Sequence, residues 1–155
     1  MLSSEEIERL KTLLSDKKKI VITTHYNPDG DAMGSSLGLY HYLKSKKHHV
    51  TVITPNSWPS FLDWMPGADS CLAGDHHLKK AHRILEEADI VFINATCYID
   101  DFWLAINDKI DQLKVGARII LASKRLKGEQ YVLIDAQMAV TSWGTNSIFI
   151  YKKIA

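Results

Sequence analysis

The chain of 155 residues has only two cysteines, Cys71 and Cys97, and they lack the spacing of a zinc-ligand pair. A disulfide framework is thereby excluded, and free thiols in a reducing compartment are expected. No apolar run approaches the ~18 residues that a membrane span needs. The N-terminus, MLSSEEIERL, does not have the basic-then-apolar order of a secretion signal, so a soluble, cytoplasmic protein is expected. An excess of either charge is missing too: 19 Lys and Arg stand against 18 Asp and Glu, a net charge of +1. With no global field, neither nucleic acid nor an anionic membrane is an expected partner. No specific partner is expected, and the chain reads as a monomer or weak dimer. Its 46% hydrophobic and 24% charged content are those of an ordinary globular domain with a real core.

The order of the residues predicts a three-layer α/β sandwich. Ser3 and Glu6 have capping-box spacing, with Ile7, Leu10, Leu13 and Leu14 as the apolar stripe behind them. Lys19 to Thr24 is a short β-branched run, apolar throughout, as a central parallel strand is. Met33, Leu37, Tyr40 and Leu43 recur at helical spacing from Asp31 to about Lys46, and "HVTVIT" at 49–54 is a second strand. A Pro-rich loop follows. A helix is predicted over 76–87, a third strand over 89–95, a helix over 100–113 and a fourth strand in "VGARIILASK". Two β-rich runs, "EQYVLIDAQ" and "TNSIFIYKK", have no helix between them and predict an antiparallel hairpin at the sheet edge. The expected fold is one Rossmann-like domain over 1–155, with a mostly parallel sheet in strand order 2-1-3-4-6-5. The cluster Trp58, Phe61, Trp64 and Met65 is read as packing over the sheet end rather than as an exposed patch.

The stretch after the first strand, "THYNPDGDAMGSS", sets one histidine and two aspartates on a single turn. With "ITTHYNPDGDAMGSSLGLYHYL", "VTVITPNSWPSFLDWMPGAD" and "EEADIVF", residues 1 to about 93 resemble the N-terminal part of DHH-family phosphoesterases, of the oligoribonuclease and phosphoadenosine-phosphate phosphatase kind. The resemblance implies that His25, Asp29 and Asp31 bind divalent metal, usually manganese. It also implies further ligands: an aspartate at the end of the third strand, an Asp-His-His triplet after the fourth, and a later aspartate. Two metals about 3.5–4 Å apart, clamping a phosphoryl oxygen and generating hydroxide, need such a set. Here Asn94 stands near the end of the third strand, and a neutral amide is a weak ligand for a hard cation. Asp100 and Asp101 come later and suit helix capping. "GDHH" at 74–77 precedes the third strand, where Asp75 is expected to cap the next helix.

From about Ala88 the resemblance changes. "ADIVFINATCYIDDFWLAINDKIDQLKVGARIILASK" followed by "TSWGTNSIFIYKK" resembles the C-terminal half of a class I S-adenosylmethionine-dependent methyltransferase. That family's cofactor site lies in the half this chain lacks. A Gly-rich first turn is needed, and a carboxylate at the end of the second strand; here the second strand ends "ITPNSW". No cofactor is expected, manganese being the weak alternative. Asn94, Tyr98 and Trp103 are read as packing and capping residues.

The combination, phosphoesterase-like over 1–93 and methyltransferase-like over 94–155, reads as a recombined or engineered scaffold without evolved catalysis. The alternative is a metal-dependent phosphoesterase or a metal-binding relic. His25, Asp29 and Asp31 then form a vestigial half-site whose turn mainly caps a helix. Gly30 is expected to ease the turn. Two unpaired carboxylates there should repel each other, so that Asp29→Asn is expected to stabilise the fold modestly.

Overall fold

A computed structural model describes residues 4–94, 109–141 and 144–155; the side chains of Glu6 and Thr141 are outside the description. The elements are α1 (Ser4–Leu13), β1 (Lys19–Thr23), α2 (Gly30–Ser45), β2 (His49–Thr54), β3 (Leu72–Ala73), α3 (Leu78–Glu86), β4 (Ile90–Asn94), β5 (Arg118–Ala122), β6 (Tyr131–Thr141) and β7 (Gly144–Lys153). Two single turns of 3-10 helix, Ser60–Leu62 and Ala68–Ser70, lie between β2 and β3.

The strands form one sheet in the order β3-β2-β1-β4-β5-β7-β6. The expected order is recovered, with one strand added outside β2. Pairing is parallel from β3 to β5, and β7 turns antiparallel to β5 and β6. Because β1, β4 and β5 have strands on both sides and layers on both faces, their central positions must be apolar. Ile20 to Ile22 and Ile90 to Ile93 meet that demand.

One face of the sheet, through Ile20, Ile22, Val52 and Ile90, packs against Met33, Leu37, Tyr40 and Leu43 of α2 and against Leu62. The other, through Val21, Ile53, Val91, Ile93, Ile119 and Leu121, packs against Ala81 of α3 and against Ile110 and Leu113. Charged groups close the amino end of the sheet. Asp89 accepts from the backbone N–H of Lys19 (2.7 Å) and from Lys114 Nζ (2.6 Å), while Lys19 Nζ reaches Glu87 at 2.7 Å. Burial pushes the Asp89 carboxyl up, but the Lys114 and Lys19 hydrogen bonds and the positive charges around it prevail and hold it below its ordinary value.

Several expectations are corrected. The α1 stripe is only half used: Leu13 and Leu14 join the core, but Ile7 and Leu10 are 40% and 42% exposed. The third helix starts at Leu78, with His77 at its N-cap and no side-chain cap. Asp75 does not cap it; its carboxylate accepts from His76 N at 2.9 Å and Ser57 N at 3.4 Å. The aromatic cluster divides. Trp58 and Met65 pack on the core, whereas Phe61 and Trp64 are 71% and 74% exposed. The Ser3–Glu6 capping box, most of the helix expected over 100–113, and Cys97, Tyr98, Asp100, Asp101 and Trp103 lie outside the described residues.

A candidate metal half-site at the carboxyl end of β1

β1 delivers the chain to the sheet's carboxyl end, the crevice where such folds bind ligands. Thr24 is buried there and its hydroxyl donates to His25 O at 3.1 Å. The turn that follows is tied down. Asn27 N–H donates to Asn56 Oδ1 at 2.7 Å and Asn56 Nδ2 donates to Asn27 Oδ1 at 2.9 Å, a reciprocal pair joining this turn to the loop after β2. Pro28 is fully buried beside it. The residue that takes the left-handed conformation is Asn27, with φ 54°, and not Gly30, which is already the first residue of α2. An asparagine tolerates that region because its short side chain bonds locally. Packing does not require a glycine at 30 either: a Cβ there would sit 3.7 Å from Leu62, in ordinary contact.

Asp29 is the N-cap of α2. Its extended backbone (φ −91°, ψ −175°) aims Oδ1 at the Ala32 N–H, 2.9 Å away. Asp31, exposed in the first turn of the helix, adds negative charge where the helix dipole is positive. His25 is half-buried, and its Nδ1 lies 2.9 Å from Tyr26 O. A carbonyl can only accept, so Nδ1 carries the proton and Nε2 of the neutral ring keeps its lone pair. Nε2 faces Asp29 Oδ1 at 3.8 Å. That separation is too long for a hydrogen bond, yet two metal–ligand bonds of ~2.1 Å can span it. A histidine whose second nitrogen is held by a carbonyl is also the usual state of a metal-bound imidazole.

The structure thus brings His25 and Asp29 together and leaves Asp31 apart from them. Among the described residues, no group of three or more His, Cys, Asp or Glu side chains is placed to hold an ion. Asn94 ends β4 one step beyond Ile93, the register partner of Thr23, so it shares the rim with His25. Asp75, His76 and His77 are exposed at the carboxyl end of β3; Asp75 is tied to the loop after β2, its carboxylate accepting from Ser57 N and its N–H donating to Pro55 O. The Asn27–Asn56 pair was not foreseeable: the two residues are 29 apart in sequence, and only the fold brings them together.

A family model, DHH family, N-terminal domain, matches residues 19–100. The chain belongs to the DHH family. The matched segment contains β1, the whole His25–Asp31 turn and Asn94. A bifunctional oligoribonuclease and PAP phosphatase from Thermus thermophilus is 52% identical over 48 residues, 30% of this DHH chain and 14% of that protein. An exopolyphosphatase-related protein from Bacteroides fragilis superposes with a TM-score of 0.64 at 37% identity, over 82% of this chain and 36% of its own. The chain therefore spans well under half the length of these two relatives. A protein from Haemophilus influenzae described as a methylase superposes over 100% of this chain and 91% of its own, with a TM-score of 0.55 at 13% identity. That likeness is one of fold, and it includes the antiparallel hairpin β6–β7. The segment matched by the DHH family model contributes β1 to β4 of a sheet whose overall fold is shared with that protein. Among the described residues, no helix is long and apolar enough to cross a membrane.

Proposed function

We propose that this DHH domain holds one hydrated divalent cation, manganese in the first instance, and does not by itself hydrolyse a phosphoester. The ligands are His25 Nε2 and Asp29, with water completing the shell. The observation that carries this reading is the pairing of two lone-pair atoms, His25 Nε2 and Asp29 Oδ1, 3.8 Å apart, with the histidine proton committed to Tyr26 O. A cation held between the two atoms would take a lone pair from each. When bound, such an ion supplies Lewis acidity toward a phosphoryl oxygen.

Asn94 leaves the site short of a ligand for a second ion. Two-metal hydrolysis needs carboxylates that bridge or complete the second ion, and on the rim beside His25 the strand β4 offers an amide. Residues 94–155 contribute a strand next to β4 and an antiparallel hairpin, which complete the sheet. A recombined or engineered origin accounts for a DHH half-site set in a methyltransferase-like sheet.

Calorimetric titration with manganese, on the parent chain and on Asp29→Ala, tests the binding. Weak heat in the parent and none in the variant is expected; no heat in either ends the proposal. Manganese-dependent hydrolysis of a generic phosphodiester above the blank would overturn the non-catalytic part.

A further inference from the structure

β6 ends the sheet with eleven residues, Tyr131 to Thr141, and β7 is its one strand neighbour among the described residues. Edge strands normally discourage pairing with charged side chains, proline or bulges. β6 has one charged residue, Asp135, and no lysine or proline. Its one bulge lies between Leu133 and Asp135; beyond it, residues 135–141 run in unbroken register with β7. Side chains alternate along that segment. Ala136 is paired with the buried Phe149, so Ala136, Met138 and Val140 share the Phe149 face. Met138 is 68% and Val140 85% exposed, among the most exposed large apolar side chains described.

From this we infer that β6 is a self-association edge, pairing antiparallel with β6 of a second copy about a two-fold axis at Met138. The regular segment 135–141 is symmetric about that residue. The axis sets Met138 against its own copy and Val140 against the small Ala136, in one apolar row. On the other face, Gln137 meets Ala139. Asp135 falls opposite Thr141, which separates the two carboxylates by six residues, about 20 Å. That is beyond the ~8–10 Å over which exposed charges interact in physiological salt. Moving the axis toward Asp135 would bring the carboxylates together, and moving it toward Thr141 would shorten the pairing. The occupant that the strand fits best is therefore itself. Seven residues a side are fewer than the ~20–30 of a standard stable interface, so the dimer forms and dissociates with concentration.

Sedimentation velocity from about 10 μM to about 1 mM should show a rising weight-average mass that approaches the dimer. Met138→Lys places two ammonium groups opposite each other at the axis and should weaken association at least about tenfold. Circular dichroism and the melting temperature check that this variant is folded. Cross-linking asks the same question independently of that variant. Met138→Cys should give a covalent dimer under mild oxidation, above the level of the parent with its Cys71 and Cys97, whereas Gln137→Cys, which meets residue 139, should not. A parent that stays monomeric throughout, a folded Met138→Lys that associates as the parent does, or equal cross-linking of Met138→Cys and Gln137→Cys would each overturn the inference.

Discussion

Removing the Asp29 carboxylate separates its two roles. The Asp29–Ala32 hydrogen bond of 2.9 Å caps a sixteen-residue helix. Losing a cap of this kind costs about 1 kcal/mol, which in a domain of this size lowers the melting temperature by roughly 2–4 °C. Asp29→Ala should show that loss in metal-free buffer. Asp29→Asn keeps an acceptor oxygen, and asparagine caps as well as aspartate. It forfeits ~0.3–1 kcal/mol of charge–dipole attraction but relieves repulsion with Asp31, so its melting temperature should stay within ~2 °C of the parent. The modest stabilisation expected from charge repulsion alone is thus cut to near zero by the cap. Manganese sets the parent apart from both variants. With a dissociation constant of ~1 mM and ~10 mM free ion, linkage adds ~1.4 kcal/mol, or roughly 3–6 °C, to the parent. Neither variant should gain this. Differential scanning calorimetry with and without manganese reads all the values. A parent that does not shift, or an Asp29→Asn protein that shifts equally, refutes the assignment of Asp29 as a ligand.

Other predictions use different parts of the molecule. Asn94→Asp puts a carboxylate on the rim beside His25 and should tighten manganese binding by about tenfold in calorimetry; unchanged affinity would place residue 94 outside the ion's reach. Asp89 is held below its ordinary pKa by Lys114 and the Lys19 N–H despite burial, so its folded-state pKa lies under the unfolded one. Its contribution is present above about pH 5 and is lost as pH falls through the folded pKa, below about pH 4. Asp89→Asn should therefore destabilise the chain at pH 7, by about 1–2 kcal/mol, and flatten the acid limb of a stability–pH profile measured by urea titration. Burial raises the Cys71 thiol to about 11, with Asp69 adding to the effect. Site-resolved maleimide labelling of Cys71 should be slow at pH 7.5 and accelerate sharply on unfolding, whereas fast labelling of the folded chain would contradict its burial.

Most of the fold was legible because its strands are long enough to show their environment. β1, β4 and β5 are apolar through their middles, as central parallel strands must be, with polar residues only at their ends (Lys19, Thr23, Asn94, Arg118), and the absence of a helix between "EQYVLIDAQ" and "TNSIFIYKK" dictated the hairpin. β3 was not legible: Leu72–Ala73 is two residues long and has no period to read. The start of α3 was placed too early because Asp75 has the identity of a cap, while its carboxylate is drawn away by Ser57, a contact made only in three dimensions. At the site, a cap by Asp29 or Asp31 follows from two aspartates at the start of an apolar-periodic stretch, and the fold gives the role to Asp29. The proton position on His25 could not be read from the sequence, since it depends on how the turn directs the Tyr26 carbonyl. Phe61 and Trp64 are exposed because the turns of 3-10 helix bury only Leu62 and Ala68.

Manganese binding followed by electron paramagnetic resonance tests the half-site most directly, because free and bound ion are counted separately. One weakly bound ion per chain, abolished by His25→Ala, is the predicted result. Two ions per chain, or a site indifferent to His25→Ala, would mean that the coordination shell is completed elsewhere and that the account is wrong.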